Sequence, residues 1–141
     1  MAGKTMQEIY CWEIKSDELN IYLASSRRGA VRIGLSLKQG YGCLDYFKKI
    51  FPLARVFKDE HLNLGLLEAV EAALRNRLIQ INPPPDILST PFQLMVWEAI
   101  AAIPFGQTRT YGEVSRMIGR PRGGRAVGQA MKRNPLPLIF P

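Results

Sequence analysis

Side chains able to act as nucleophiles or soft metal ligands are scarce in this chain. Cys11, Cys43 and His61 are its only cysteines and histidine. A reactive thiolate needs surroundings that lower its pKa, such as an adjacent cation or histidine. No motif around Cys11 or Cys43 announces such a neighbour. Cys11 falls in a predicted strand and Cys43 near a predicted helix start, so both read as buried structural residues. Three possible ligands without recognisable spacing fall short of the four a structural zinc takes. No metal and no cofactor is expected, and His61 reads as a core or surface residue.

A different kind of chemistry is concentrated in Gly123-Gly124-Arg125-Ala126-Val127-Gly128-Gln129-Ala130-Met131. Three glycines and two alanines are a poor choice for a helix chosen for stability alone. They suit a helix that another backbone or a base stack must approach closely, and they leave Arg125 projecting from a face with little competing bulk. The alternative is a tight helix–helix contact with Arg125 merely solvated.

Charge sharpens the contrast between the two ends. The net charge is +7. Between Phe105 and Arg133 lie seven basic residues (Arg109, Arg116, Arg120, Arg122, Arg125, Lys132 and Arg133) and one acid, Glu113. The first 104 residues are close to neutral. Such one-sided charge suits a polyanionic partner, although basic segments also occur as solvated faces, so charge alone does not choose.

The elements that must position these residues follow from the pattern. Met6 to Lys15, Glu18 to Ser26 and Ala30 to Leu37 read as strands of a hairpin or meander, with Arg27-Arg28-Gly29 as a solvated turn. Leu44 to Phe51 has helical spacing and is stopped by Pro52. Leu62 to Ile79 places apolar residues at three- and four-residue steps, an amphipathic helix. Asn82-Pro83-Pro84-Pro85-Asp86 cannot continue a helix and reads as a linker, dividing an N-terminal α/β domain (1–86) from a C-terminal domain (87–141).

In the second part Thr90 is an N-cap, Pro91 fits the first helical position and Gln93 completes a capping box. Phe92, Met95, Val96, Ala99, Ile100 and Ile103 form the predicted buried stripe, with Trp97 also read as core. Thr110 and Glu113 make a second capping box opening a short helix to Met117, with Gly119 as its C-cap. A third helix follows from about Gly123 to Met131 or Lys132, giving a helix-turn-helix. Leu136 to Phe140 is expected to be a strand. No stretch is long and apolar enough for a membrane span and no signal peptide is evident. Two cysteines make no disulfide framework, which favours a reducing cytosol.

Three blocks, Thr-Pro-Phe-Gln-Leu-Met-Val-Trp97, Ile-Pro-Phe-Gly-Gln-Thr-Arg-Thr-Tyr111-Gly-Glu and Arg125-Ala-Val-Gly-Gln-Ala-Met-Lys-Arg-Asn134-Pro-Leu-Pro-Leu-Ile-Phe-Pro141, resemble the C-terminal domain of alkylguanine-DNA alkyltransferases. These are also called methylated-DNA–protein-cysteine methyltransferases. The blocks keep the family's order and spacing from Thr90 onward, and the first half carries no diagnostic motif. The resemblance implies an α+β fold. A small ribonuclease H-like sheet with helices would precede a winged-helix-like helix-turn-helix domain.

It further implies a single-turnover DNA repair methyltransferase that flips alkylated guanine from double-stranded DNA and passes the alkyl group to a protein cysteine. The recognition helix would lie in the minor groove, accounting for the small residues Gly124, Ala126 and Gly128. Arg125 would fill the gap left by the extruded nucleotide, and Tyr111 would crowd the target phosphate. Met131 and Pro137 would wall the base pocket, and Asn134 would organise the turn before the active site. Arg120 and Arg122 are candidates for backbone phosphate contacts. The expected partner is alkylated duplex DNA, bound by a monomer in the cytoplasm (with the nucleoid in a prokaryote, in the nucleus of a eukaryote). No membrane association is expected.

The family continues Ile-Pro-Cys-His-Arg-Val where this sequence reaches Phe140-Pro141, so the nucleophile is expected immediately after Pro141. Residues 1–141 alone are expected to lack transfer activity. A UGA codon at that position, encoding selenocysteine, is one explanation, because a selenol is ionised where a thiol near pKa 8.5 is not. Two other readings stand beside this one. An alkyltransferase-like sensor would bind the damaged base without repairing it. A helix-turn-helix regulator would read the major groove, against which stands a helix with few long side chains to reach base edges.

Overall fold

Apolar residues of the first three strands fall on both faces, so a sheet built on them needs cover on both sides. The computed structural model describes residues 6–37, 41–77, 84–104 and 106–140. It divides into two compact units, Met1–Ile87 and Leu88–Pro141.

In the first unit, β1 (Glu8–Lys15), β2 (Asn20–Ser25) and β3 (Ala30–Ser36) form an antiparallel meander. After α1 (Cys43–Ile50), β4 (Arg55–Lys58) returns parallel to β1, giving the order β3-β2-β1-β4. β2 is buried along its whole length. On one face Ile9, Cys11, Tyr22 and Ala24 pack with Cys43 and Phe47 of α1. Gly34 of β3 leaves room there for the Tyr46 ring, which a β-carbon would meet at 2.3 Å.

Asn63 ends a short 3-10 turn (His61–Asn63) that leads into α2 (Leu64–Leu74). Its fully buried amide would be costly if unpaired. Its Nδ2 donates to the carbonyls of Tyr10 and Asp59, and its Oδ1 accepts from Ser25 Oγ.

The structure departs from the sequence expectations at three places here. β4 has four residues, mostly exposed, with no alternation to reveal it; backbone bonds to β1 create it, flanked by Arg55 N–H to Gln7 O and Asp59 N–H to Cys11 O. The long amphipathic helix begins as a 3-10 turn and stops at Leu74 rather than running towards Ile79. Asn76 adopts φ 56°, and the amides of Asn76 and Arg77 bond back to the Ala73 and Ala72 carbonyls. This is a Schellman ending with asparagine in the usual glycine position. Ile79 and part of the expected linker, Asn82 and Pro83, lie outside the described residues; Pro84 to Asp86 carry no regular structure.

The second unit holds α3 (Pro91–Ala101), α4 (Tyr111–Met117) and α5 (Gly124–Lys132). Val96, Trp97, Ile100, Val114, Val127, Ala130 and Leu136 form its core. Met95, placed in the buried stripe by periodicity, is exposed, because the side of α3 that carries Trp97 turns inward instead. Leu136 to Phe140 is not a strand. Proline at 135 and 137 removes two amide donors, Leu138 adopts φ 76°, and the Ile139 and Phe140 amides both bond to the Leu136 carbonyl, making a turn. Among the described residues this unit has no strand to serve as a wing. No helix among the described residues is long and apolar enough to cross a membrane.

Candidate nucleic-acid interface

Two capping boxes set the helix starts that carry the site. Thr90 Oγ1 accepts from the Gln93 amide, and Gln93 Oε1 accepts from the Thr90 amide, both at 3.1 Å. Thr110 Oγ1 likewise accepts from the Glu113 amide, while Glu113 Oε2 accepts from the Thr110 amide. The second box makes Tyr111 the first residue of α4 and projects its ring outward, 52% exposed. At the other end of α4, Gly119 adopts φ 76°, with Gly119 N–H bonded to Arg116 O and Arg120 N–H to Ser115 O. That Schellman ending reverses the chain and starts α5 within a few residues.

α4 and α5 approach closely because α5 is bare where they meet. A β-carbon on Gly128 would lie 3.3 Å from Cδ2 and Cε2 of Tyr111. One on Gly124 would lie 3.7 Å from the Gly112 amide nitrogen, an ordinary contact. Tyr111, Gly124, Arg125, Gly128, Gln129 and Lys132 line an open groove of about 550 Å³. Arg125, Gln129 and Lys132 share one helix face at four- and three-residue steps, and all three are exposed. The opposite face buries Val127 and Ala130. Among the described residues no carboxylate lies within ion-pair distance of Arg116, Arg120, Arg122, Arg125, Lys132 or Arg133.

Not all predicted residues share this groove. Arg120, Arg122 and Ala126 line a second depression, of about 490 Å³, with Phe92, Pro121 and Gly123. Met131, Asn134 and Pro137 belong to the end of α5 and the turn after it, where the Asn134 amide bonds to Met131 O at 3.2 Å. Asn134 clamps that turn from both sides, its Nδ2 donating to the Phe140 carbonyl and its Oδ1 accepting from the Leu136 amide. Trp97 supports it from below, donating Nε1–H to Ala130 O at 2.9 Å and stacking on Phe140 with centroids 5.9 Å apart.

Gln129 in the groove was not singled out from sequence; Lys132 was read only as one of the basic residues, and Phe92, in the second depression, as part of the buried stripe of α3. Their spacing from Arg125 was the available signal for the first two. Helical spacing placed Phe92 in the core, whereas it is only half-buried and lines that depression. His61 lies exposed, away from both cysteines in sequence, and among the described residues no three metal-ligating side chains gather.

Comparison with known proteins bears directly on this unit. The DNA-binding domain of 6-O-methylguanine DNA methyltransferase matches residues 91–141. Over 122 residues the chain is 30% identical to the inducible methylated-DNA–protein-cysteine methyltransferase of Bacillus subtilis, covering 86% of this chain and 68% of that protein. The chain belongs to the methylated-DNA–protein-cysteine methyltransferase family.

The Mycobacterium leprae member is 48% identical over 82 residues, 56% of this chain and 50% of its own. The chain thus spans about half the length of some curated relatives it matches. Among solved structures, Mycobacterium tuberculosis O6-methylguanine methyltransferase superposes with a TM-score of 0.69 at 28% identity, covering 94% of this chain and 75% of that one. A crystal structure of the same organism's OGT in complex with DNA gives 0.67 at 26% identity, covering 95% and 74%. These likenesses match the expected α+β class, a small mixed sheet with helices, for this member of the methyltransferase family.

Proposed function

We propose that the second unit reads duplex DNA from the minor groove and rotates an alkylated guanine out of the stack, the recognition step for irreversible alkyl transfer to a protein cysteine. The observation that carries this reading is Arg125, exposed beside the Tyr111 ring on a helix face it shares with Gly124, Gly128 and Gln129, with Lys132 at its far end. A narrow groove admits a helix only where its side chains are small, and a long cation rising from that face can enter the base stack. Extrusion is required because the alkyl group sits on the base's pairing edge, and its cost of a few kcal/mol is lowest for a damaged, mispaired base.

Each residue then has a physical task. Arg125 would occupy the vacated space and Tyr111 would press on the target's phosphate. Gly124, Ala126 and Gly128 would let the sugar–phosphate walls close on α5. Arg120 and Arg122, without carboxylate partners among the described residues, would hold flanking phosphates. Met131 and Pro137 would wall the pocket for the extruded base, on a turn that Asn134 holds in shape. The protein would act as a monomer, with the DNA of its cell as its partner.

Transfer needs an acceptor thiol at that pocket. Cys11 and Cys43 are both enclosed in the first unit, and no cysteine occurs from residue 44 to residue 141. Residues 1–141 therefore supply recognition and not the acceptor.

The test is base extrusion, followed with a fluorescent base analogue beside O6-methylguanine in a duplex. The protein should raise the emission, and Arg125→Ala should abolish most of the rise while leaving the fold intact. Unchanged extrusion by Arg125→Ala would remove the basis for this reading.

A further inference from the structure

Cys11 and Cys43 have no place on the DNA-facing surface, yet they meet. Cys11 lies within β1 and Cys43 opens α1, 32 residues later. Both are shielded from solvent, and the Cys11 thiol donates to Cys43 Sγ across 2.9 Å. The approach is held by the surrounding structure. Pairing of Cys11 with Ala24 turns its side chain to the α1-facing side of the sheet. The Cys43 amide donates to Glu13 Oε2 at 3.1 Å, and Lys58 bridges to Glu13 Oε1 at 3.3 Å. Both ends of the thiol pair are thus anchored to β1 and its neighbour β4.

We propose that Cys11 and Cys43 form a redox-active dithiol that a hydroperoxide closes to a disulfide, reversibly clamping α1 to β1. The two sulfurs are not equivalent. The hydrogen bond from Cys11 draws the Cys43 thiol below its usual pKa, against burial and the Glu13 carboxylate, with Lys58 and the Leu44 amide assisting. The same bond and burial push Cys11 up. Cys43 is therefore the attacking sulfur.

Its thiolate attacks one oxygen of hydrogen peroxide, breaking the O–O bond to give a sulfenic acid at Cys43 and hydroxide. Cys11 then gives its proton to that hydroxide, and its sulfur attacks Cys43, forming the S–S bond and expelling a second hydroxide that leaves as water with a solvent proton. That proton restores the one first lost from Cys43. In net terms two thiols and one peroxide become one disulfide and two waters. Each sulfur loses one electron and each peroxide oxygen gains one. A small oxidant matters because both thiols are enclosed.

The experiment uses residues 1–141, treated with hydrogen peroxide under native conditions, then alkylated after denaturation and mapped without reductant. The expected product is a single linked peptide pair joining Cys11 to Cys43, with the mass of two hydrogens lost and full recovery by dithiothreitol. Closing a loop of this length should raise the melting temperature by roughly 10 °C. Cys11→Ser should stop at a Cys43 sulfenic acid that dimedone traps, whereas Cys43→Ser should give no intramolecular product. Sulfinic acid at either cysteine of the unaltered chain overturns the proposal. So do disulfides between chains, or inertness at peroxide levels that oxidise an exposed thiol control.

Discussion

The ring of Tyr111 rests on α5 at Gly128, where a β-carbon would stand 3.3 Å from two of its ring carbons. An alanine at 128 must push that exposed ring outward by a few tenths of an ångström. It would also favour the helix by about 0.5–1 kcal/mol. Gly128→Ala is therefore expected to hold or raise the melting temperature while lowering base extrusion several-fold. Lost extrusion together with a lowered melting temperature would assign the contact to folding instead.

Thr110 and Thr90 make equivalent capping boxes with different consequences. Replacing either by alanine should cost about 1 kcal/mol in urea unfolding. Only Thr110→Ala should also impair extrusion, because the freed turn is the one that aims Tyr111. Equal extrusion by the two variants would mean that the start of α4 does not set the ring's position.

The arginines should separate by their response to salt. Arg120→Ala or Arg122→Ala is expected to weaken binding to every duplex and lower the slope of log affinity against log salt by about 0.9 for each lost phosphate contact. Arg125→Ala should leave that slope nearly unchanged and reduce extrusion. It should also weaken binding to a duplex with an abasic target. If its salt slope falls like that of Arg122→Ala with extrusion intact, Arg125 is one more phosphate contact.

Incubation of residues 1–141 with DNA carrying labelled O6-methylguanine should leave the protein unlabelled. Both thiols face the interior of the first unit. Stoichiometric methylation of Cys11 or Cys43, read by peptide mass, would contradict the recognition-only reading of this stretch.

The starts of α3 and α4 were legible because a capping box is local: Thr-Pro-Phe-Gln and Thr-Tyr-Gly-Glu each contain both partners of the bonds they form. The glycine at 119 likewise announced the turn between α4 and α5. What escaped depends on partners far away in sequence. β4 exists through its pairing with β1, and its residues carry no alternation of their own. α2 ends on Asn76, whose left-handed backbone is harder to foresee than a glycine's. The stretch from Leu136 to Phe140 has the apolar composition of a strand, but its prolines and the Asn134 clamp make it a turn. In the site, small residues on α5 were visible as a class. That Gly128 faces the Tyr111 ring, and that Cys11 faces Cys43, required the packing of separate elements.

The chain has two tryptophans, and each lies in a different unit. Trp97 is dry, hydrogen-bonded to α5 and stacked on Phe140, while Trp12 is half-buried with Lys58 over its ring. In a Trp12→Phe chain the remaining indole would be an optical gauge of the turn after α5. Water reaching Trp97 when Phe140 lifts away would shift its emission to the red, while the first unit stayed silent. Opening of that turn could then be timed by stopped flow on unlabelled protein, separately from any event in the sheet.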